Sequence, residues 1–102
     1  MAPTGSVTEI DARTGRLLRV IGAARYHLSE PQTLAAIGND VFVTSTGNNS
    51  VAEIDGATGA LVHVFSGSQY GLVGPVGTAV WRQHLYVSNA MGGTVSDLDV
   101  VP

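Results

Sequence analysis

His27 and Glu30 stand three residues apart in a polar loop, with Arg25 and Tyr26 directly before them and Asn48 in a second loop further on. An imidazole and a carboxylate at that separation can share a proton or support a metal ion. The matching loop 44 residues later carries Gln69 and Tyr70 but has Gly71 where His27 would be. A lone loop histidine therefore reads first as an exposed imidazole. Tyr26 and Tyr70 occupy equal positions, followed by Leu28 and Leu72, and a loop anchor with the ring packed and the hydroxyl bonded locally accounts for the recurrence. With Asn89 added, the candidate ligand-binding set is Arg25, Tyr26, His27, Glu30, Asn48, Tyr70 and Asn89. No catalytic residue, metal ligand or cofactor is assigned, because nucleophile elbow, phosphate-binding glycine loop and His-x-x-x-His spacing are all missing from the chain.

Two acidic columns recur as well. Asp11, Asp55 and Asp99 precede turns and are expected to cap them, since Asp bonds its own backbone two residues ahead. Glu9, Glu53 and Asp97 are expected to face water or to pair with Arg16 or Arg19 on the adjoining strand. Trp81 is expected in the core and His84 in solvent.

These columns belong to a repeat. Ser-Val-Thr-Glu-Ile-Asp at 6–11 returns as Ser-Val-Ala-Glu-Ile-Asp at 50–55 and as Thr-Val-Ser-Asp-Leu-Asp at 94–99, 44 residues apart each time. Residues 6–49 laid over 50–93 give 14 identities without a gap. A structural repeat must bury its apolar face on its neighbours, so the period sets the architecture. Each period reads as four short strands: Ser6 to Asp11, Arg16 to Ile21, Thr33 to Ile37 and Val41 to Ser45, then Ser50 to Asp55, Ala60 to Phe65, Gly77 to Trp81 and Leu85 to Asn89, with Thr94 to Asp99 as a ninth. The Asp-x-x-Thr-Gly turns at 11–15 and 55–59 make tight reversals in which glycine supplies a positive φ.

Four antiparallel strands every ~40–50 residues is the size of one β-propeller blade. The run Gly-Asn-Asn-Ser-Val-Ala-Glu-Ile-Asp-Gly-Ala-Thr-Gly-Ala-Leu-Val, preceded by Val-Phe-Val-Thr, resembles the NHL and YVTN group of propeller repeats. The Asp-Ala-x-Thr-Gly-x-Leu element is also similar to the quinoprotein-type repeat, but the Trp that usually follows there is replaced by Leu18, Arg19 and Val20. The resemblance covers 6–99 and implies an all-β fold of four-stranded antiparallel blades, about two blades plus one extra strand. Residues 1–5 are expected to form a disordered N-terminal segment, 6–49 and 50–93 the two repeats, and 94–99 a partial third. With strands named a to d from the axis outward, the chain runs c-d-a-b-c-d-a-b-c. The resemblance also places the d-to-a and b-to-c loops, which hold the candidate set, on one ligand-binding face.

Propellers close with typically four to eight blades. Two and a fraction leave large apolar faces in water, so the chain is expected to assemble, three or four copies making a closed ring, or to be part of something longer. The leading functional expectation is a non-enzymatic binding or assembly module, with a small-molecule or protein ligand on the loop face. One alternative implied by the resemblance is a fragment or subunit of a lyase- or lactonase-type enzyme with a channel-bound metal, using His27 as acid/base and Glu30 as metal support. Another is a purely structural blade pair.

Composition narrows the partners. Eight acidic and five basic residues give a formal charge of -3, and the basic ones are scattered. Nucleic acid and anionic membrane surfaces call for clustered Lys and Arg, so neither is expected as a partner. Cysteine is absent, which leaves disulfides and thiolate metal sites out. The opening Met-Ala-Pro-Thr-Gly-Ser lacks the charged and apolar regions of a signal peptide, and no run approaches ~18 apolar residues; a soluble chain is expected.

Overall fold

A computed structural model describes residues 5–100. Residues 1–4 of the expected disordered segment, and 101–102 at the end of the repeat region, lie outside the described residues. Among the described residues the fold is all-β, with nine strands: β1 (Val7–Ile10), β2 (Leu17–Ile21), β3 (Pro31–Ile37), β4 (Asp40–Ser45), β5 (Ser50–Asp55), β6 (Leu61–Phe65), β7 (Pro75–Trp81), β8 (His84–Asn89) and β9 (Thr94–Asp99). They form three antiparallel sheets, β1-β2, β3-β4-β5-β6 and β7-β8-β9. Short 3-10 turns at Ala24–Tyr26 and Ser68–Tyr70 interrupt the two long loops. Among the described residues, no helix is long and apolar enough to cross a membrane.

Strand registers repeat with the sequence. Glu9 faces Arg19 as Glu53 faces His63, with a register shift after each acid. Val43 faces Ala52 as Val87 faces Ser96. Strands β3 and β7 begin earlier than expected, at Pro31 and Pro75. Proline is admissible as the first residue of a strand, and an irregularity follows each one before the regular ladder starts.

The middle sheet is covered on both faces. On one side Val43, Ala52 and Ile54 pack with Ile21 of β2 and with Tyr26 and Leu28 from the loop after it, Val7 of β1 resting against this cluster. On the other side Ile37, Phe42 and Val51 pack with Leu85 and Val87 of β8, Leu98 of β9, and Leu72 and Val100. Covering both faces is what makes β4 and β5 apolar without alternation: Phe42, Val43, Val51, Ala52 and Ile54 are all buried. Strand β7 lies beside β3, where the Thr78 hydroxyl donates to the Leu34 carbonyl at 3.3 Å.

The tail strand β9 holds the ladder beside its own chain's β8 through six residue pairs from His84↔Asp99 to Asn89↔Thr94. Hairpin β1-β2 stands as a separate sheet, docked on the middle one rather than joined to it.

The turns behave as their sequence requires. Asp11 Oδ1 accepts from the Arg13 amide and Asp55 Oδ1 from the Ala57 amide, at 2.9 and 2.8 Å. Gly15 and Gly59 have φ of 76° and 79°. A Cβ at Gly59 would lie 2.6 Å from the Arg19 guanidinium, whereas one at Gly15 would meet nothing within 4 Å. Gly15→Val should therefore cost about 1–2 kcal/mol from backbone strain alone, and Gly59→Val more. Paired thermal melts check the order; an unchanged melting temperature for Gly59→Val would contradict the turn assignment.

Candidate functional site

The four loops that carry the candidate set interlock at one end of the sheets. The Asn48 amide donates to the His27 carbonyl at 2.8 Å, and the Gly47 amide to the Ser29 carbonyl at 2.9 Å. The Asn49 carboxamide oxygen accepts from the Gly74 amide at 2.8 Å, and the Asn89 carboxamide oxygen from the Val73 amide at 3.1 Å. The structure thus joins loop 23–30 to 46–49, 46–49 to 66–74, and 66–74 to 90–93.

Within that frame the predicted residues divide by exposure. Tyr26 is only 5% exposed, and its hydroxyl donates to the Gly59 carbonyl at 2.6 Å. It anchors the loop across to the β5-β6 turn. Asn89 is buried, and its amide donates to Ser96 Oγ at 3.0 Å. Tyr70 is half-buried, packed edge-on against Phe65 with centroids 5.4 Å apart. Arg25, His27, Glu30 and Asn48 are exposed, with the Arg25 guanidinium 5.0 Å from the Tyr26 ring centroid. A cleft of about 460 Å³ beside them is lined by Asn48, Asn49, Gly67, Ser68, Gly71, Leu72 and Val73.

His27 and Glu30 have φ of 56° and 53°, and the residues 44 positions later are Gly71 and Gly74, at 65° and 63°. The loop conformation is common to both copies, and the first holds it with two side chains that disfavour positive φ. Their exposure makes them the two chemically distinct groups that the first loop offers and the second lacks. Among the described residues, no three His, Cys, Asp or Glu side chains gather as metal ligands do.

The acidic column splits into three environments. Glu9 accepts from Arg19 Nε at 2.9 Å, as expected. Asp97 lies 2.9 Å from His84 Nδ1, so His84 is paired rather than simply solvated. Glu53 does not face water: it is 8% exposed, opposite Phe42 on the middle sheet. Burial, together with a side-chain hydrogen bond to Asp40 and its charge, raises the Glu53 pKa from 4.5 to about 7. Because the folded state holds this proton more tightly than the unfolded chain does, the stabilisation is fully present below pH 4.5 and is lost as pH rises through about 7. Glu53→Gln keeps a hydrogen-bond donor without the charge. It should raise stability at pH 8 by about 1–3 kcal/mol and leave it nearly unchanged at pH 4. Parallel denaturant titrations at the two pH values check this; an equal effect at both would contradict it.

The large apolar faces expected from the repeat count are present as a pair of bare sheet faces, and they include a residue expected in the core. Trp81, placed in the core by expectation, is 56% exposed, because no element among the described residues covers the outer face of the third sheet. Tyr86, His84 and Val95 lie on that face with it, Val95 at 66% exposure. Their counterparts 44 residues earlier include Ile37, Phe42 and Val51, which are buried under the third sheet. At the opposite end Ile10 and Val20 are 57% and 58% exposed, although Ile54, the counterpart of Ile10, is buried. The 44-residue alignment itself holds the signal, since it sets Trp81 on Ile37 and Tyr86 on Phe42. No protein-family model matches this chain, and no curated protein matches it.

Proposed function

We propose that this chain is a non-enzymatic, propeller-type binding and assembly module: copies join end to end to complete blades, and the interlocked loop end presents a ligand-binding face. The observation that carries this reading is the mismatch between equivalent surfaces. An apolar interface made once inside the chain, by Ile37, Phe42 and Val51 against the next sheet, is left open one repeat later at Trp81, Tyr86 and Val95. Contiguous apolar surface of this kind marks an interaction site. The two bare ends are different surfaces, so the contact between copies is heterologous, and a heterologous contact closes into a ring when its rotation permits.

Magnitudes favour association. A large apolar side chain contributes about 1.5–3 kcal/mol when fully covered. Trp81, Leu34, Ile10 and Val20 are already about half covered, so with Tyr86 each joint gains on the order of 4–8 kcal/mol, which offsets the lower part of the roughly 4–15 kcal/mol that association costs. In a ring, the Arg25, His27, Glu30 and Asn48 cluster recurs once per copy around the loop face, which suits a polar small molecule or a protein segment. Light scattering over a dilution series tests the reading. A mass of three or four times the 10.5 kDa chain is the expected result, and a single-chain mass at tens of micromolar would overturn it.

A further inference from the structure

We infer that the open edge of β1 is a strand-acceptor site for the β7-β8 hairpin of a second copy, and that β9 is the plug that this exchange expels. The inference rests on the self-association reading and specifies its joint.

Among the described residues, strand β1 is hydrogen-bonded to β2 alone, whereas its counterparts β5 and β9 each pair with the strand preceding them, β4 and β8. An unpaired strand edge is a template for another chain. Beside this edge runs a groove of about 210 Å³, lined by Val7, Thr8, Ile21, Leu34, Val41 and Ile54. A second hollow of about 180 Å³ along Val7, Thr8, Leu34 and Val43 lies beside the same strand. Leu34, on its floor, is 55% exposed.

The repeat identifies the occupant. Val41 and Val43 on this floor correspond to Leu85 and Val87 in the third sheet. Those two are fully buried by β3-β4, which sets Ile37 and Phe42 over them. The hairpin that carries the corresponding residues Trp81 and Tyr86 is β7-β8, and its matching face is bare. It cannot reach the β1 groove in its own chain, because it is already packed on the opposite face of the middle sheet. A second copy must supply it.

Shifting the β8-β9 register by two repeats sets Leu85 of one copy opposite Ile10 of the next, Tyr86 opposite Glu9 and Ser88 opposite Val7. Most of what β9 gives up has an equivalent in β1, although the buried Val100 that follows β9 is matched by Ala12. Six ladder pairs are exchanged for six, Ile10 enters the buried place of Leu98, and His84 trades Asp97 for Glu9, which Arg19 already neutralises. Loop anchoring follows the same rule. The Tyr26 hydroxyl bonds the Gly59 carbonyl at 2.6 Å, and the counterpart of Gly59 in the completed blade is Gly15 of the incoming copy, within the reach of Tyr70. Backbone exchange being nearly balanced, the apolar cover gained by Trp81, Tyr86 and Leu34 drives the joint.

The chain has no cysteine, so engineered thiols report the pairing without background. Registered cross-strand neighbours fall within disulfide reach. The variants Val7→Cys and Ser88→Cys, mixed and mildly oxidised, should give a covalent dimer whose peptide map shows a 7–88 link. Val7→Cys mixed with Val62→Cys, placed at an exposed site on β6, should not. In the double variant Ser88→Cys/Val95→Cys, oxidation locks β9 onto its own β8, and the locked chain should lose assembly and regain it on reduction. Assembly that persists in the locked chain, or multi-chain masses without a 7–88 link, would overturn the exchange and leave self-association standing. A single-chain mass for the unmodified protein would overturn both.

Discussion

Phe42→Ala should strongly destabilise the chain, whereas Tyr86→Ala, its counterpart one repeat later, should leave the stability of the single chain nearly unchanged and abolish assembly. Phe42 is fully buried between the middle and third sheets, against Phe65 at a centroid distance of 6.5 Å. Truncating such a ring costs about 3–5 kcal/mol, a large share of the roughly 5–15 kcal/mol of stability that a domain has. Tyr86 lies on the outer face of the third sheet, near the His84 ring at 6.1 Å, with no sheet over it. Its truncation removes little from the single chain, within about 0.5–1 kcal/mol, but takes a central ring from the proposed joint between copies, since aromatic anchors dominate binding energy at interfaces. Circular dichroism melts and light scattering on both variants check the contrast. Equal loss of stability in the two would mean that the third sheet's outer face is already covered within one chain.

The same equivalences explain what the sequence made legible. Strand order, registers and turn chemistry all follow from residues that recur at 44, such as Asp11 with Asp55 and Gly15 with Gly59, because hydrogen bonding along a hairpin depends on the hairpin alone. Burial does not, since it depends on what stands next to the sheet. Glu9 and Glu53 are the same residue in the same register, yet one is half-exposed and meets Arg19 while the other is buried beside Asp40. Residue type and the match to Ile37 both assign Trp81 to the core. Its exposure arises because no sheet among the described residues packs on that face. The repeat also gathers the loop residues at a common end, but their division into anchors and free groups needed the hydrogen bonds: Tyr26 and Asn89 are spent on the scaffold, while His27, Glu30 and Arg25 remain exposed.

Removal of residues 94–102 should have the second large effect, in the direction opposite to that of an ordinary strand deletion. In the single chain β9 contributes one full ladder and the buried Leu98, so its loss strips cover from Leu85 and Val87. If β9 were only a structural strand, the truncated chain would aggregate or unfold. If β9 is the plug, the vacated β8 edge is filled by β1 of the next copy, and the truncated chain assembles at lower concentration and into a more uniform species. An at least roughly tenfold lower midpoint of assembly corresponds to removal of a competing interaction of about 1.4 kcal/mol. Sedimentation velocity of full-length and truncated chains measures that midpoint.

Native mass spectrometry of the unmodified chain at micromolar concentration tests the central claim most directly, because it counts copies and reveals closure in one experiment. A heterologous joint that closes predicts one dominant species of three or four chains, with no longer ladder of sizes. A spectrum of single chains, or an open series of growing oligomers without a preferred size, would contradict the proposal that these copies complete a ring.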